Sequence, residues 1–331
     1  MDLVAKIVEV SKIDPITHGL IGIALSTLSG HPMQLNDPVF LGCTLGAMLP
    51  DLDIIAHVKG RLNYLLKHRG ASHSLIALTA SALGLGTALY IVFPTTSWTT
   101  VFFWTLIGTM SHSMMDLLNS YGAELLWPFS RKKITANMIM LTDPVVLSAV
   151  LLSLIISLIN PELARIYSLI ALLFSALYLG YRHLGRIKTR DRLMSIYNLK
   201  EREQVKVIPA MYHPFTWNFI LFQEEYVRFG IIRNQIPTIC RVLPKCNGDN
   251  PSVTNALEGN LAEIFSQFTP YFHVIAHFSD TDECIVEFLD LRYWVKGNFM
   301  YTGNVYFNLD GEISQEIFHA LPNQKGVLLS Y

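Results

Sequence analysis

Apolar residues fill long blocks in the first half of the chain and shorter, interrupted ones in the second. Ile16–Gly30 is apolar apart from Thr17, His18 and scattered hydroxyl residues, and Val39–Leu49 is apolar up to Pro50-Asp51. Both blocks are short against the roughly 20 residues of a spanning helix. They read as a tilted hairpin, a partly immersed pair, or spans that borrow flanking residues. Leu75–Phe93, Trp98–Leu118, Ala136–Ile159 and Ile166–Tyr181 predict further spanning helices, the last two separated by Asn160-Pro161. Gly42, Gly46, Gly84, Gly86 and Gly108 lie inside these blocks and predict close helix packing.

The pattern changes after Tyr181, where a basic, polar stretch runs to Lys206. Thr254–Phe268 places Leu257, Leu261, Ile264, Phe265 and Phe268 at helical spacing. Tyr271–Phe278, Cys284–Trp294 and Phe299–Leu309 are rich in aromatic and β-branched residues, with turn signals at Lys296-Gly297-Asn298 and Asp310-Gly311. The expected fold class is mainly α. It comprises a polytopic helical membrane domain over 1–181, a basic linker over 182–206 and a small soluble α+β domain over 207–331 with a mostly antiparallel sheet.

Composition fits that division. The chain is 51% hydrophobic and 15% charged, against roughly 25% charged residues in soluble domains. A net charge of −1 gives no sign of a nucleic-acid partner. Cys43 sits in an apolar block; Cys240 and Cys246 lack zinc-ribbon spacing, and no CxxC occurs, so the cysteines read as reduced thiols. Met1–Lys12 has too short an apolar run, and no cleavage site, for a signal peptide.

Charge orients the blocks. Lys6 and Lys12 precede the first; Lys59, Arg61, Lys67 and Arg69 separate the second from the third; Arg131, Lys132 and Lys133 separate the fourth from the fifth. Arg182, Arg186, Lys188, Arg190 and Arg192 follow the sixth, and only Arg165 falls on the other side. Six crossings put the basic loops on one face, which the positive-inside rule makes cytoplasmic. The expected location is the cell (inner) membrane, multi-pass, with a cytoplasmic tail.

That topology brings ionisable residues to one depth. His18 opens the first block, Asp51 and Asp53 close the second, and His68 and His73 lead into the third. His112 and Asp116 lie late in the fourth, and Asp143 opens the fifth. Such groups are costly at a membrane unless they pair, face water or bind a metal. Imidazole and carboxylate donors suit a divalent metal, Zn²⁺ foremost, with Mn²⁺ or Fe²⁺ compatible. His112 and Asp116, four apart, share a helix face. His68 and His73 flank Gly70 on a turn, with Ser72 placed to cap the next helix. Plainer roles exist for each residue alone: an interface histidine at His18, a helix stop at Asp51, a helix start at Asp143-Pro144, a positive-inside charge at Arg69. As a set they predict a metal site.

Asp14-Pro-x-x-His18, Pro50-Asp51-x-Asp53, His68-Arg69-Gly70-x-Ser72-His73-Ser74 and His112-x-x-x-Asp116 resemble the YdjM-like family of membrane-bound metal-dependent hydrolases. Tyr121-Gly122 and Trp127-Pro128 also fit, and Asp290-Leu291-Arg292-Tyr293 is similar to the tail of longer, Bacillus-type members. A more distant similarity is to the zinc-dependent phospholipase C and single-strand nuclease superfamily. It implies one metal on His18 and another on Asp51, His68 or His73, and His112, with Asp116 bridging. The sequence lacks that superfamily's second His-x-x-x-Asp or His-x-x-x-Glu after Asp116, which points to one or two metals rather than three.

For a hydrolase, metal-activated water is the expected nucleophile, since no G-x-S-x-G elbow occurs. Asp53 is expected to orient that water or accept its proton, and Arg69 to bind a phosphate oxygen. A site at headgroup depth implies membrane lipids as neighbours and an amphiphilic phosphoester as substrate. Two other functions use the same residues or none of them: divalent-metal sensing or transport, and a membrane scaffold whose tail binds a protein.

Overall fold

The computed structural model describes residues 3–53, 62, 66–140, 143–211, 213–245, 250–278, 284–308, 310–320 and 326–329, with side chains from Pro15 onward. The chain divides into two compact units, Met1–Leu184 and Gly185–Tyr331. Asp14, Lys6, Lys12, Lys59, Arg61 and Cys246 carry expectations that fall outside the described residues or side chains.

The first unit is helical: α1 (Leu3–Thr27), α2 (Pro38–Gly46), α3 (Leu75–Val92), α4 (Trp98–Leu118), α5 (Pro144–Ile159) and most of α6 (Ala164–Ile196). Local chemistry sets the starts. Asp37 accepts hydrogen bonds from the N–H groups of Val39 and Phe40 ahead of α2, whose first turn holds Pro38. Ser74, not Ser72, caps α3 by accepting from Ala77 N–H. The hydropathy pattern predicts a helix from Ala136, but α5 begins at Pro144. Asp143 caps it there through Val145 N–H, while Ala136 and Met138 donate back to Leu117 and Leu118 of α4. At the other end α6 runs on to Ile196, through most of the stretch read as a linker.

Glycines draw the helices together. Gly22 of α1 lies against Cys43 and Ala47, and Gly108 of α4 lies against the Cys43 carbonyl. Gly42 and Gly46 of α2 meet Thr105 of α4, and Gly86 of α3 meets Phe102. A Cβ at any of these would press on a neighbour, the contact expected of small residues. Gly84 differs: it faces open space.

Apolar side chains also point outward. Leu83 and Ile91 of α3, Leu152 and Leu158 of α5, and Ile170 and Leu177 of α6 are exposed. Leu75–Val92 and Pro161–Ile196 are long and apolar enough to cross a membrane, whereas α5 spans only 16 residues.

The second unit is an α/β tail. Strands β1 (Val205–Pro209), β2 (Trp217–Phe222), β3 (Tyr226–Arg233) and β4 (Ile236–Pro244) form an antiparallel meander. Helices α7 (Pro251–Glu258) and α8 (Asn260–Phe268) follow, then β5 (Phe272–Phe278), β6 (Cys284–Asp290), β7 (Trp294–Val295), β8 (Asn298–Phe299), β9 (Thr302–Phe307), β10 (Ile313–His319) and β11 (Val327–Leu329). The second sheet has the order β11-β10-β9-β6-β5, all neighbours antiparallel, and β7 pairs with β8. Ile208, Ile220 and Phe229 of the meander pack with Ile275, Leu289 and Phe299.

Two features escape the sequence pattern. β2 is buried along nearly its whole length, so it lacks the alternation that marks a half-buried strand. The helix expected over Thr254–Phe268 breaks at Gly259, where a Cβ would strike the Glu316 carboxylate. That carboxylate accepts the N–H of Leu261 at 3.0 Å and so satisfies a donor in the first turn of α8.

Candidate metal centre

Four segments of the helical unit converge on one buried cluster. His112 and Asp116 share a face of α4, with His112 Nε2 3.4 Å from Asp116 Oδ2. His112 Nδ1 lies 2.7 Å from the Ala47 carbonyl, just past α2. That carbonyl can only accept, so Nδ1 carries a proton, and in the neutral ring Nε2 turns a lone pair toward the cluster. Close packing of Gly108 on Cys43 holds α2 near enough for this bond. His18 of α1 stacks on His112 with ring centroids 3.8 Å apart, and its Nε2 lies 3.5 Å from Asp116 Oδ1.

His73 ends the short 3-10 turn Ala71–His73. Its Nε2 is 3.0 Å from His112 Nε2 and 3.1 Å from Asp116 Oδ2, and its Nδ1 is 3.0 Å from Ser72 Oγ. Asp51, on a 3-10 turn over 49–53, stands 3.5 Å from His112 Nε2 and 3.8 Å from His73 Nε2. His18, Asp51, His73, His112 and Asp116 are all buried.

The turn carrying Arg69 is built by Asp53 and Gly70. Arg69 takes a left-handed φ of 61° and donates its N–H to Asp53 Oδ2 at 3.0 Å. The bend expected at Gly70 therefore falls one residue earlier. Gly70 is needed for room, since a Cβ there would meet the Lys67 carbonyl at 2.8 Å. The bend sends the Arg69 guanidinium inward, 2.9 Å from Asp116 Oδ1 and over the Tyr121 ring.

Charge makes the case for a cation. Asp51, Asp53 and Asp116 bring three carboxylates against one guanidinium, so 3 − 1 leaves two negative charges for the histidines or an ion to offset. Buried charges without compensation are strongly unfavourable. Both carboxylate oxygens of Asp51 are buried and lack a hydrogen-bond partner among the described residues. Oδ1 stands 3.5 Å from His112 Nε2 and 3.8 Å from His73 Nε2, beyond good hydrogen-bond length. Burial works against charge on Asp51, but His112 and His73 hold its carboxyl well below the usual range. Burial likewise pushes His73 down, yet contacts with Asp116 and Asp51 raise it overall. A proton on His73 Nε2 and a cation are thus alternatives at one place. Ligand atoms of Asp51, His73 and His112 lie within 4.8 Å of one another, as do those of His18, His112 and Asp116. Nitrogens bound tetrahedrally to Zn²⁺ at 2.0–2.1 Å stand about 3.3 Å apart, near the observed separation of His73 and His112. The residues present fit a divalent ion.

Of the residues singled out from sequence, His18, Asp51, His73, His112 and Asp116 come together, and Arg69 joins them through Asp116. His68 and Asp53 sit beside them, 3.0 Å apart through His68 Nδ1. Together with Asp51 they make a third ligand group, partly exposed. Asp143 lies elsewhere: it caps α5 and accepts the Tyr178 hydroxyl at 3.0 Å. Sequence reasoning missed the Ala47 carbonyl, the Ser113 hydroxyl 3.3 Å from the His73 carbonyl, and Lys133 Nζ, which donates to the His68 carbonyl at 2.9 Å. No side-chain signal marks the first. The other two are ordinary residues until the fold brings them in.

Residues 13–187 match the YdjM inner membrane protein family, and residues 251–326 match the YfhP C-terminal alpha/beta plait domain. A Bacillus subtilis (strain 168) protein named uncharacterized protein YfhP is 24% identical over 305 residues, spanning 90% of this chain and 92% of its own. No solved structure matches the chain. With the family match covering more than half its length, the chain belongs to the YdjM inner membrane protein family.

Proposed function

We propose that this chain is a multi-pass metal-dependent hydrolase that cleaves a phosphodiester or lipid-linked substrate at the cytoplasmic face of the inner membrane. The observation that carries the reading is Asp51: a buried carboxylate with no hydrogen-bond partner among the described residues, facing two imidazole nitrogens. His18, Asp51, His73, His112 and Asp116 hold one or two divalent ions, with Zn²⁺ the best match to the donors and Mn²⁺ or Fe²⁺ compatible. A divalent cation there supplies the Lewis acidity that makes water a nucleophile at neutral pH.

The chain's own residues do the rest. Asp53 fixes the turn by accepting from Arg69 N–H and contacting His68 Nδ1, which orients His68 as the group that moves a proton at the rim. Arg69, held by Asp116, puts a fixed positive charge beside the cluster, where a phosphoryl oxygen gathers negative charge. The basic residues before α3 and α5 and in the second half of α6 orient the helices with the tail in the cytoplasm. Residues 1–181 serve as the membrane domain and 207–331 as the soluble domain, with the basic 182–206 stretch, helical to Ile196, between them.

The test is hydrolysis by metal-loaded protein of bis(p-nitrophenyl) phosphate and of phospholipid in mixed micelles. Asp53→Asn keeps its metal but loses activity about 10–100-fold, the usual cost of removing an orienting partner. Full activity in Asp53→Asn contradicts its role. Equal rates on soluble and lipid phosphodiesters contradict the amphiphilic substrate.

A further inference from the structure

A lobe of chain beside the cluster has no role in the reading above. Residues 124–133 are closed at the base by paired backbone bonds between Ala123 and Ile134, at 3.2 and 2.9 Å. Within the lobe, Phe129 and Ser130 both donate to the Leu126 carbonyl, which fixes a tight turn. Phe129 at its tip is 87% exposed, and Leu126 beside it is 47% exposed. Arg131 and Lys132 follow at once and are exposed. A large aromatic held open on a hydrogen-bonded turn, close to two exposed cations, is poorly suited to water on its aromatic side and well suited to an anionic interface.

Position supports the same conclusion. The Leu125 carbonyl accepts the N–H of Leu75, the first residue of α3, at 3.1 Å. Where α3 crosses a membrane, its first residue stands at the boundary between headgroups and water, and the lobe stands there with it. The lobe is also tied to the cluster: Glu124 N–H donates to the Arg69 carbonyl at 3.0 Å, and Lys133 Nζ donates to the His68 carbonyl at 2.9 Å.

We infer that the 124–133 lobe docks on anionic phospholipid, with Phe129 entering the acyl boundary and Arg131 and Lys132 engaging headgroup phosphates. Docking there sets the metal cluster at headgroup level and gathers anionic phospholipid beside it. The inference rests on α3 as a membrane span, part of the reading above, and not on hydrolysis.

The experiment uses the full chain reconstituted into phosphatidylcholine vesicles carrying equal mole fractions of either brominated phosphatidylcholine or brominated phosphatidylglycerol, with bromines near the headgroup to read Phe129→Trp and deep in the acyl chain to read Leu83→Trp, which lies about 12 Å along α3 from Leu75. Tryptophan emission is read as the difference from wild type for Phe129→Trp and for Leu83→Trp, the latter on the exposed apolar face of α3. The expected result is quenching of Leu83→Trp by both lipids, and quenching of Phe129→Trp more strongly by the anionic one. That preference is lost when Arg131→Gln and Lys132→Gln are added. Quenching of Leu83→Trp while Phe129→Trp stays bright puts the lobe in water and overturns the inference, leaving the span intact. Equal quenching of Phe129→Trp by the two lipids overturns the choice of anionic lipid. No quenching at Leu83→Trp overturns the span and the inference together.

Discussion

At His112 a backbone carbonyl from another helix decides which nitrogen faces the cluster. His112 Nδ1–H donates to the Ala47 oxygen, and Nε2 is left to meet His73 and Asp116. Nothing in the side-chain sequence marks Ala47 for this, so the contact was illegible. The ionisable residues themselves were legible, because His18, Asp51, His112 and Asp116 interrupt or border apolar blocks where such groups are costly. The choice between His68 and His73 was not, because it turns on a left-handed φ at Arg69 rather than on residue type. His73 gives metal binding a pH dependence. His73 must lose a proton before a cation takes its Nε2, and its contacts with Asp116 and Asp51 raise it above the usual imidazole value of about 6.5. Zn²⁺ affinity therefore keeps climbing from about pH 6 to about pH 8, beyond the range where an unperturbed histidine has finished titrating. Competition with a chelating dye at each pH checks this; a flat affinity over that range contradicts it.

Between elements, small residues do the positioning. Gly108 sits so close to the Cys43 carbonyl that any side chain must push α2 away from α4, and with it Ala47 from His112. Gly108→Ala is expected to cost about 1–3 kcal/mol and to weaken metal binding. Gly84→Ala, which faces open space, is expected to change neither. Thermal unfolding and metal retention in detergent compare the two; equal behaviour contradicts the packing account. Helix existence was readable from apolar blocks, and α4 has the bounds the pattern predicts. Starts were less readable where a cap outweighed hydropathy, as at Asp143-Pro144. In the tail, β2 hid because both its faces are buried, and Gly259 split one apolar stripe into two helices.

Each of the two compact units has a core and buried charges of its own. Asp290 and Arg292, within the tail motif noted in the sequence, form a fully buried pair at 2.9 Å, and Arg292 also donates to the Phe268 carbonyl. Their role is to join the end of β6 to the end of α8. Asp290→Ala strands the guanidinium and is expected to destabilise the tail by about 3–5 kcal/mol. Limited proteolysis then cuts the tail faster while metal stoichiometry stays unchanged. Loss of metal in that variant contradicts the independence of the two units. The change from apolar to ordinary composition near Tyr181 falls close to the boundary between the two compact units, Leu184 and Gly185, because a run of apolar blocks and a run of alternating strands bury their side chains in different ways.

The His–Asp cluster is expected to hold a metal through Asp51 and His112. The direct measurement is elemental analysis of detergent-purified wild type beside Asp51→Ala and His112→Ala, with circular dichroism to confirm that each variant stays folded. Stoichiometric divalent metal in wild type, lost in both folded variants, is the predicted result. Wild type that carries no metal after exposure to Zn²⁺ and Mn²⁺, or folded variants that retain it in full, would contradict the claim.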